Sequence, residues 1–152
     1  MQSHLYTHVF RSFADVNEAP VNLCLLNAKT VISEKSRLIS SIGQIALEDP
    51  DHPKSMGICQ TSTKILSPQY LSYTCDIWSS SDNVDDIKMK FYIDQHFVLN
   101  RKGDLSYKAR QSYVIPIMCR DVTKPIHLIE RSFTVSVKGR SVYLHNDFYV
   151  IE

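Results

Sequence analysis

Phe97-Val-Leu-Asn-Arg-Lys-Gly-Asp-Leu-Ser-Tyr107, continued to Ile115, aligns with Phe133-Thr-Val-Ser-Val-Lys-Gly-Arg-Ser-Val-Tyr143, continued to Ile151, at a constant offset of 36 residues. Seven of the 19 aligned positions are identical, among them Lys102/Lys138, Gly103/Gly139, Tyr107/Tyr143 and the closing Tyr-Val-Ile triplets. The chain holds only four glycines, and two stand at this matched place. Glycine is favoured where a tight hairpin needs a positive φ. The repeat therefore predicts two hairpins, each turning at Lys-Gly. Thr123-Lys124-Pro125 joins them, so residues 94–152 read as a four-stranded antiparallel meander.

Upstream the apolar spacing changes from two to three and four. Residues 3–16 predict an amphipathic helix, with Ser3 as its cap and Leu5, Val9, Phe13 and Val16 on one face. Pro20 suits the first turn of a second helix through Leu23, Leu26, Val31 and Ile32. Ser36 opens a third, carrying Leu38, Ile42 and Ile45, which must stop before the loop Asp49-Pro50-Asp51-His52-Pro53. Residues 58–65 and 70–78 are strand candidates, and 85–92 fits either a short helix or a strand. The expectation is a single α+β domain over 1–152. Its helical part, about 3–48, packs on a strongly bent antiparallel sheet in a β-rich part, about 56–152.

With 152 residues, 43% hydrophobic and 22% charged, the chain has the composition of one globular domain. A net charge of +1 lacks the overall basic surplus of a typical nucleic-acid binder. Positive charge does gather in the C-terminal half as a candidate basic patch of Arg101, Lys102, Lys108, Arg110, Lys138 and Arg140. Cys24, Cys59, Cys75 and Cys119 form no CxxC pair and read as buried reduced thiols, with disulfides left open. The first apolar stretch contains two histidines and an arginine, unlike a signal peptide, and no apolar run approaches a membrane span. These features predict a soluble intracellular protein of cytoplasm or nucleus.

Two Asp–His pairs sit at i, i+2 on predicted strands, where both side chains share a face and a carboxylate can orient an imidazole base. They are Asp94 with His96, and His145 with Asp147. Either supplies two metal donors; His127 or Cys119 would have to complete a site. No metal or cofactor is predicted. No phosphate-cradling loop, nucleophile elbow or dinucleotide fingerprint is present.

The end of the chain carries a resemblance. Ile126-His-Leu-Ile-Glu-Arg-Ser-Phe133-Thr-Val135, a turn, then Tyr143-Leu-His-Asn-Asp147-Phe148-Tyr-Val150 is similar to the last two strands of the nuclear-transport-factor-2-like (NTF2-like) superfamily. That resemblance implies a cone in which a bent sheet wraps the helices. It also implies a non-catalytic adaptor of nuclear transport or RNA export, homo- or heterodimeric through its sheet face. Tyr107, Tyr113, Phe133, Tyr143, Asn146, Asp147, Phe148 and Tyr149 are then the candidate interface. A small dehydratase, isomerase or cyclase with an Asp–His pair inside the cone is the catalytic alternative. His8-Val-Phe-Arg-Ser-Phe13 followed by hairpins resembles rhabdovirus matrix proteins, which implies a self-associating structural protein of the virion that contacts membrane or nucleocapsid.

Overall fold

The computed structural model describes residues 17–36, 39–61, 72–78, 84–122, 127–139, 142–145 and 148–151. In chain order they form strands β1 (Asn22–Leu26), β2 (Val31–Ser33) and β3 (Ser40–Glu48), then a 3-10 turn (Pro53–Ser55) and helix α1 (Ile58–Thr61). Strand β4 (Tyr73–Ile77), helix α2 (Val84–Lys90), and strands β5 (Phe91–Ile93) and β6 (Val98–Arg101) follow. The long strands β7 (Ser112–Asp121) and β8 (Leu128–Lys138) precede a final pair, β9 (Val142–His145) and β10 (Phe148–Ile151).

Two four-stranded sheets make a sandwich, ordered β1-β3-β6-β5 and β2-β8-β7-β4, while β9 and β10 pair with each other. Neighbours are antiparallel, except that β2 runs parallel to β8, with Val31 opposite Ser136. β7 shows the cause of the layering most plainly. Tyr113, Ile115, Ile117 and Cys119 alternate inward against Leu23, Ile45, Leu47, Phe91 and Leu99 of the facing sheet. Each such side chain taken from water contributes roughly 1.5–3 kcal/mol. The Phe91 and Tyr113 rings meet edge-on, with centroids 5.4 Å apart.

The α+β cone is overturned. The helix expected over 3–16 lies outside the described residues, but 22–48, expected to be helical, is three strands. The cause is burial on both faces. Helix α1 lies over the outer side of β1 and β3, so Leu26, Ala46 and Ile58 form a second small core beside Cys24 and Cys59. Strands covered on both sides lose polar–apolar alternation. A register shift between Ser41 and Gly43 also resets the phase of β3, which sets Ile42 and Ile45 at a helix-like spacing. Of residues 58–65, Ile58–Thr61 are helical rather than extended. Residues 85–92 do both, a helix through Lys90 and a strand from Phe91.

The paired hairpins and their meander are likewise corrected. β6 pairs with β3 and β5, and β7 with β4 and β8, so residues 102–111 cross from one sheet to the other. The long hairpin is β7–β8, β5 pairs with β6 and β9 with β10, and among the described residues β8 and β9 are not paired. Neither Gly103 nor Gly139 has a positive φ. Their shared requirement is close approach. A Cβ on Gly103 would stand 2.9 Å from the Met89 carbonyl oxygen, and one on Gly139 would stand 2.9 Å from the Tyr107 ring. The Lys102 and Gly103 N–H groups both donate to the Lys90 carbonyl, docking the crossing segment on α2.

Candidate functional site

The outer face of the β2-β8-β7-β4 sheet can be built from its register. Val114, Pro116, Met118 and Arg120 alternate outward along β7, with Thr134, Ser132, Glu130 and Leu128 opposite them on β8. On the other side Asp76 and Thr74 of β4 stand opposite Met118 and Arg120. Trp78 continues that alternation and gives its N–H to the Pro116 carbonyl. Pro116 has no N–H to return the bond, so the β4–β7 ladder ends there. Trp78 remains 44% exposed and Val114 49% exposed, on either side of Pro116. The chain's single tryptophan is thus held on an apolar stripe facing solvent.

One end of the sandwich gathers oxygen donors. Asp49 and Asp121, each 1% exposed, close the top of β3 and β7. The Tyr73 hydroxyl donates to Asp49 Oδ2 at 2.8 Å, and the Asp51 N–H donates to Asp49 Oδ1 at 2.8 Å. Asn17 Nδ2 donates to Asp121 Oδ2, and the Glu18 N–H to Asp51 Oδ2. Burial first, then the bond to the Asp49 carboxylate and the charges of Asp121 and Asp51, push the Tyr73 phenol well above its ordinary value. Hard cations favour such carboxylate and amide oxygens. Yet both oxygens of Asp49 and one each of Asp121 and Asp51 accept hydrogen bonds, and among the described residues no three His, Cys, Asp or Glu side chains are grouped to share a metal ion. Among the described residues the donor set as arranged does not fit a bound metal.

The Asp–His pairs meet different fates. Asp94 caps the β5–β6 turn: Oδ1 accepts the N–H groups of His96 and Val98, and Oδ2 accepts Asn100 Nδ2. Its link to His96 therefore runs through backbone, and the exposed imidazole lies against Gln95. His145 ends β9 opposite Phe148, while Asn146 and Asp147 lie outside the described residues, as do the side chains of Tyr143, Phe148 and Tyr149. Cys119 is bonded to Cys75 and cannot serve as a thiolate ligand.

Among the other candidates, Tyr113 is a core residue whose phenol burial pushes upward. Phe133 packs against the same core, and Tyr107 is exposed on the crossing segment. Of the basic residues, Arg101 is 1% exposed and spans to the β2–β3 loop. Its Nη1 donates to the Ser36 hydroxyl and to the carbonyls of Ser33 and Ser36. Lys102, Lys108, Arg110 and Lys138 do share one end of the sandwich, with Arg110 paired to Asp86 at 3.2 Å; Arg140 is not among the described residues. Sequence reasoning missed Trp78 and the Asp49–Asp51 turn. The signals available are a lone tryptophan one step past a strand and an acid-rich loop between apolar segments.

No family model matches the chain, and no curated protein does. Solved structures do. Protocadherin gamma B2 extracellular cadherin domains 3–6 superpose with a TM-score of 0.59 at 19% identity, over 84% of this chain and 27% of that one. The fold is that of a cadherin domain. Mouse cadherin-23 EC22–24 matches at TM-score 0.52 and 10% identity, over 79% of this chain and 32% of that one. Human mucin-like protocadherin EC1–2 gives TM-score 0.52 and 18% identity, over 83% and 56%. The chain thus spans about a quarter of the length of the protocadherin gamma B2 structure. A cadherin-like sandwich displaces the NTF2-like and matrix-protein resemblances, and with them the transport adaptor, virion protein and cone enzyme they implied.

The intracellular expectation is corrected too. Cys24 bonds Cys59, tying α1 to β1, and Cys75 bonds its direct register partner Cys119 across β4 and β7. Paired cysteines and a fold shared with extracellular domains point away from the reducing cytoplasm and nucleus. Wide sequence separation hid both pairs. Only the sheet order brings Cys75 opposite Cys119.

Proposed function

We propose that this chain is an extracellular protein-binding module that meets a second copy of itself or another protein through the outer face of the β2-β8-β7-β4 sheet. The observation that carries the reading is Trp78, held on an apolar stripe with Val114, Pro116 and Met118 rather than folded into the core. Exposed aromatic and aliphatic side chains on a rigid sheet are the usual anchors of protein contacts. The cadherin fold supports it, since one matching structure is described as a protocadherin cis-dimer. As the sole tryptophan, Trp78 reports on its own burial. Self-contact predicts a blue-shifted, less quenchable emission as concentration rises, lost in a Val114→Asp variant. Contact with another protein predicts the same shift on titration with extracellular protein fractions. Emission that ignores both would count against the face.

A further inference from the structure

Strand β8 is paired along one side and mostly bare along the other. Residues 128–136 pair with β7, whereas β2 covers only residues 136–138. Two bonds fix the phase of the strand. The Val137 N–H donates to the Gln111 carbonyl on the β7 side, and the Ser136 N–H donates the other way, to the Thr30 carbonyl. Leu128, Glu130, Ser132 and Thr134 alternate in phase with Ser136, so their N–H and C=O groups point away from β7. Among the described residues none of these groups has a partner. An open row of this kind is a template for one more strand.

The kink between β1 and β2 is the cause. Asn27, at φ 52°, turns the chain. The Lys29 N–H then bonds the Ile42 carbonyl of one sheet, and the Thr30 carbonyl accepts from Ser136 of the other. The chain changes sheets over residues 28–30 and leaves the seam ahead of them uncovered. A cavity of about 180 Å³ opens there, walled by Leu25, Ile42, Phe133 and Val135 and rimmed by Lys29 and Arg131. The Arg131 guanidinium is held by the Leu23 carbonyl and Asn22 Oδ1. Among the described residues no acid lines the cavity, and neither cation has a carboxylate within ion-pair distance. Glu130 belongs to the opposite face of β8, and Glu48 already accepts Asn22 Nδ2 and the Cys59 N–H.

The edge, the cavity and its rim call for three parts of one ligand: extended main chain, an apolar side chain and a negative charge. A strand lying on residues 128–134 and running the same way as β8 meets residues 28–30 at its far end, with no path onward in the plane of the sheet. A chain terminus fits that dead end, and a terminal carboxylate fits its two cations. We infer that β8 binds the C-terminal tail of another protein as an added parallel strand, with the last side chain in the cavity and the terminal carboxylate between Lys29 and Arg131. In strand addition the main-chain bonds give affinity and the side-chain pocket gives specificity. The site is the edge of the sheet, apart from the Trp78 face.

Amide NMR titration of the intact chain with a hexapeptide of alternating threonine and valine, ending in a valine with a free carboxyl group, tests this. Shifts should gather at residues 128–134 and 28–30, and a spin label on the peptide's N-terminus should broaden the Leu128 end rather than the Thr134 end. Amidating the terminus, or ending the peptide in glycine, should weaken binding at least about tenfold, as should Lys29→Glu. Ser132→Pro removes an N–H that no bond of the fold uses, a change that an edge strand tolerates. This variant should keep the wild-type thermal midpoint and lose the peptide. The inference is overturned if nothing binds by about 1 mM peptide, if free and amidated peptides bind equally, or if the label broadens the Thr134 end. It also fails if the edge amides shift with protein concentration alone, since a second copy would then be the occupant. Should Ser132→Pro lower the midpoint, the exposed Lys29→Glu decides, and unchanged affinity there overturns the carboxylate site.

Discussion

Replacing Cys75 and Cys119 together by alanine removes a covalent rung between β4 and β7 and leaves every backbone hydrogen bond of that ladder in place. The bond closes a loop with a sequence separation of 44, and for that length the loop-entropy relation gives about 4 kcal/mol of stabilisation through the unfolded chain. Cys119 is fully buried and Cys75 packs against the same core, so trimming two sulfurs to methyls adds a packing loss of about 1 kcal/mol. A total near 4–5 kcal/mol is a large part of the roughly 5–15 kcal/mol expected for such a domain. Guanidinium unfolding is the assay. With a slope of about 4 kcal/mol/M, the midpoint should drop by about 1 M, with the slope if anything steeper because the unfolded chain loses a cross-link. The same titration on wild type with and without reductant should show a still larger fall, because Cys24–Cys59 closes a second, separate loop. A drop below about 0.2 M, or four free thiols in unreduced denatured protein, would refute the rung and the corrected compartment with it.

Tyr73→Phe should cost about 1–3 kcal/mol near neutral pH, because it strips a donor from a buried carboxylate. The Tyr73 phenol is held above its unfolded value, so this stability is fully present below about pH 10 and is lost as pH rises beyond it. The variant should therefore show a shallower alkaline decline in thermal midpoint, with Tyr113 supplying what remains. Gly103→Ala must push against the Met89 and Lys90 backbone, whereas Gly139→Ala meets the side chain of Tyr107, its ring and Cβ, which yields more readily than backbone. Chemical denaturation should find the first costlier by about 1–2 kcal/mol, and equal costs would remove the close-approach argument. Arg101→Ala leaves the Ser33 and Ser36 carbonyls without their donor and opens a buried space, so a loss of at least about 2 kcal/mol is expected, with faster hydrogen exchange in the β2–β3 loop.

What the sequence displayed was local order, and what it concealed was pairing. The alternation of Tyr113, Ile115 and Ile117 announces β7 because one face of that strand meets water. β1 and β3 announce nothing comparable, since α1 buries their outer side and a register shift in β3 spaces Ile42 and Ile45 like helix positions. The matched Lys-Gly pairs point to hairpin turns because glycine in a turn usually signals a positive φ. Here both glycines serve close approach to distant segments, the Met89–Lys90 backbone at Gly103 and the Tyr107 side chain at Gly139, which no local pattern encodes. Residues brought together by sheet order, such as Cys75 with Cys119, Tyr73 with Asp49, and Trp78 with Pro116, were equally out of reach. Of the expected basic patch, Arg101 turns inward as an anchor, and no local pattern marks that residue off from its exposed neighbour Lys102.

The two disulfides also set how the domain answers a pull. Their loops do not overlap, one closing at Cys59 before the other opens at Cys75. Drawn out from its ends, the sandwich can lose its ladders without paying out the chain held between bonded cysteines. The 44-residue separation alone hides about 150 Å of contour at roughly 3.5 Å per residue. Under tension the oxidised domain is a short tether with a hard stop, and reduction would turn it into a long one.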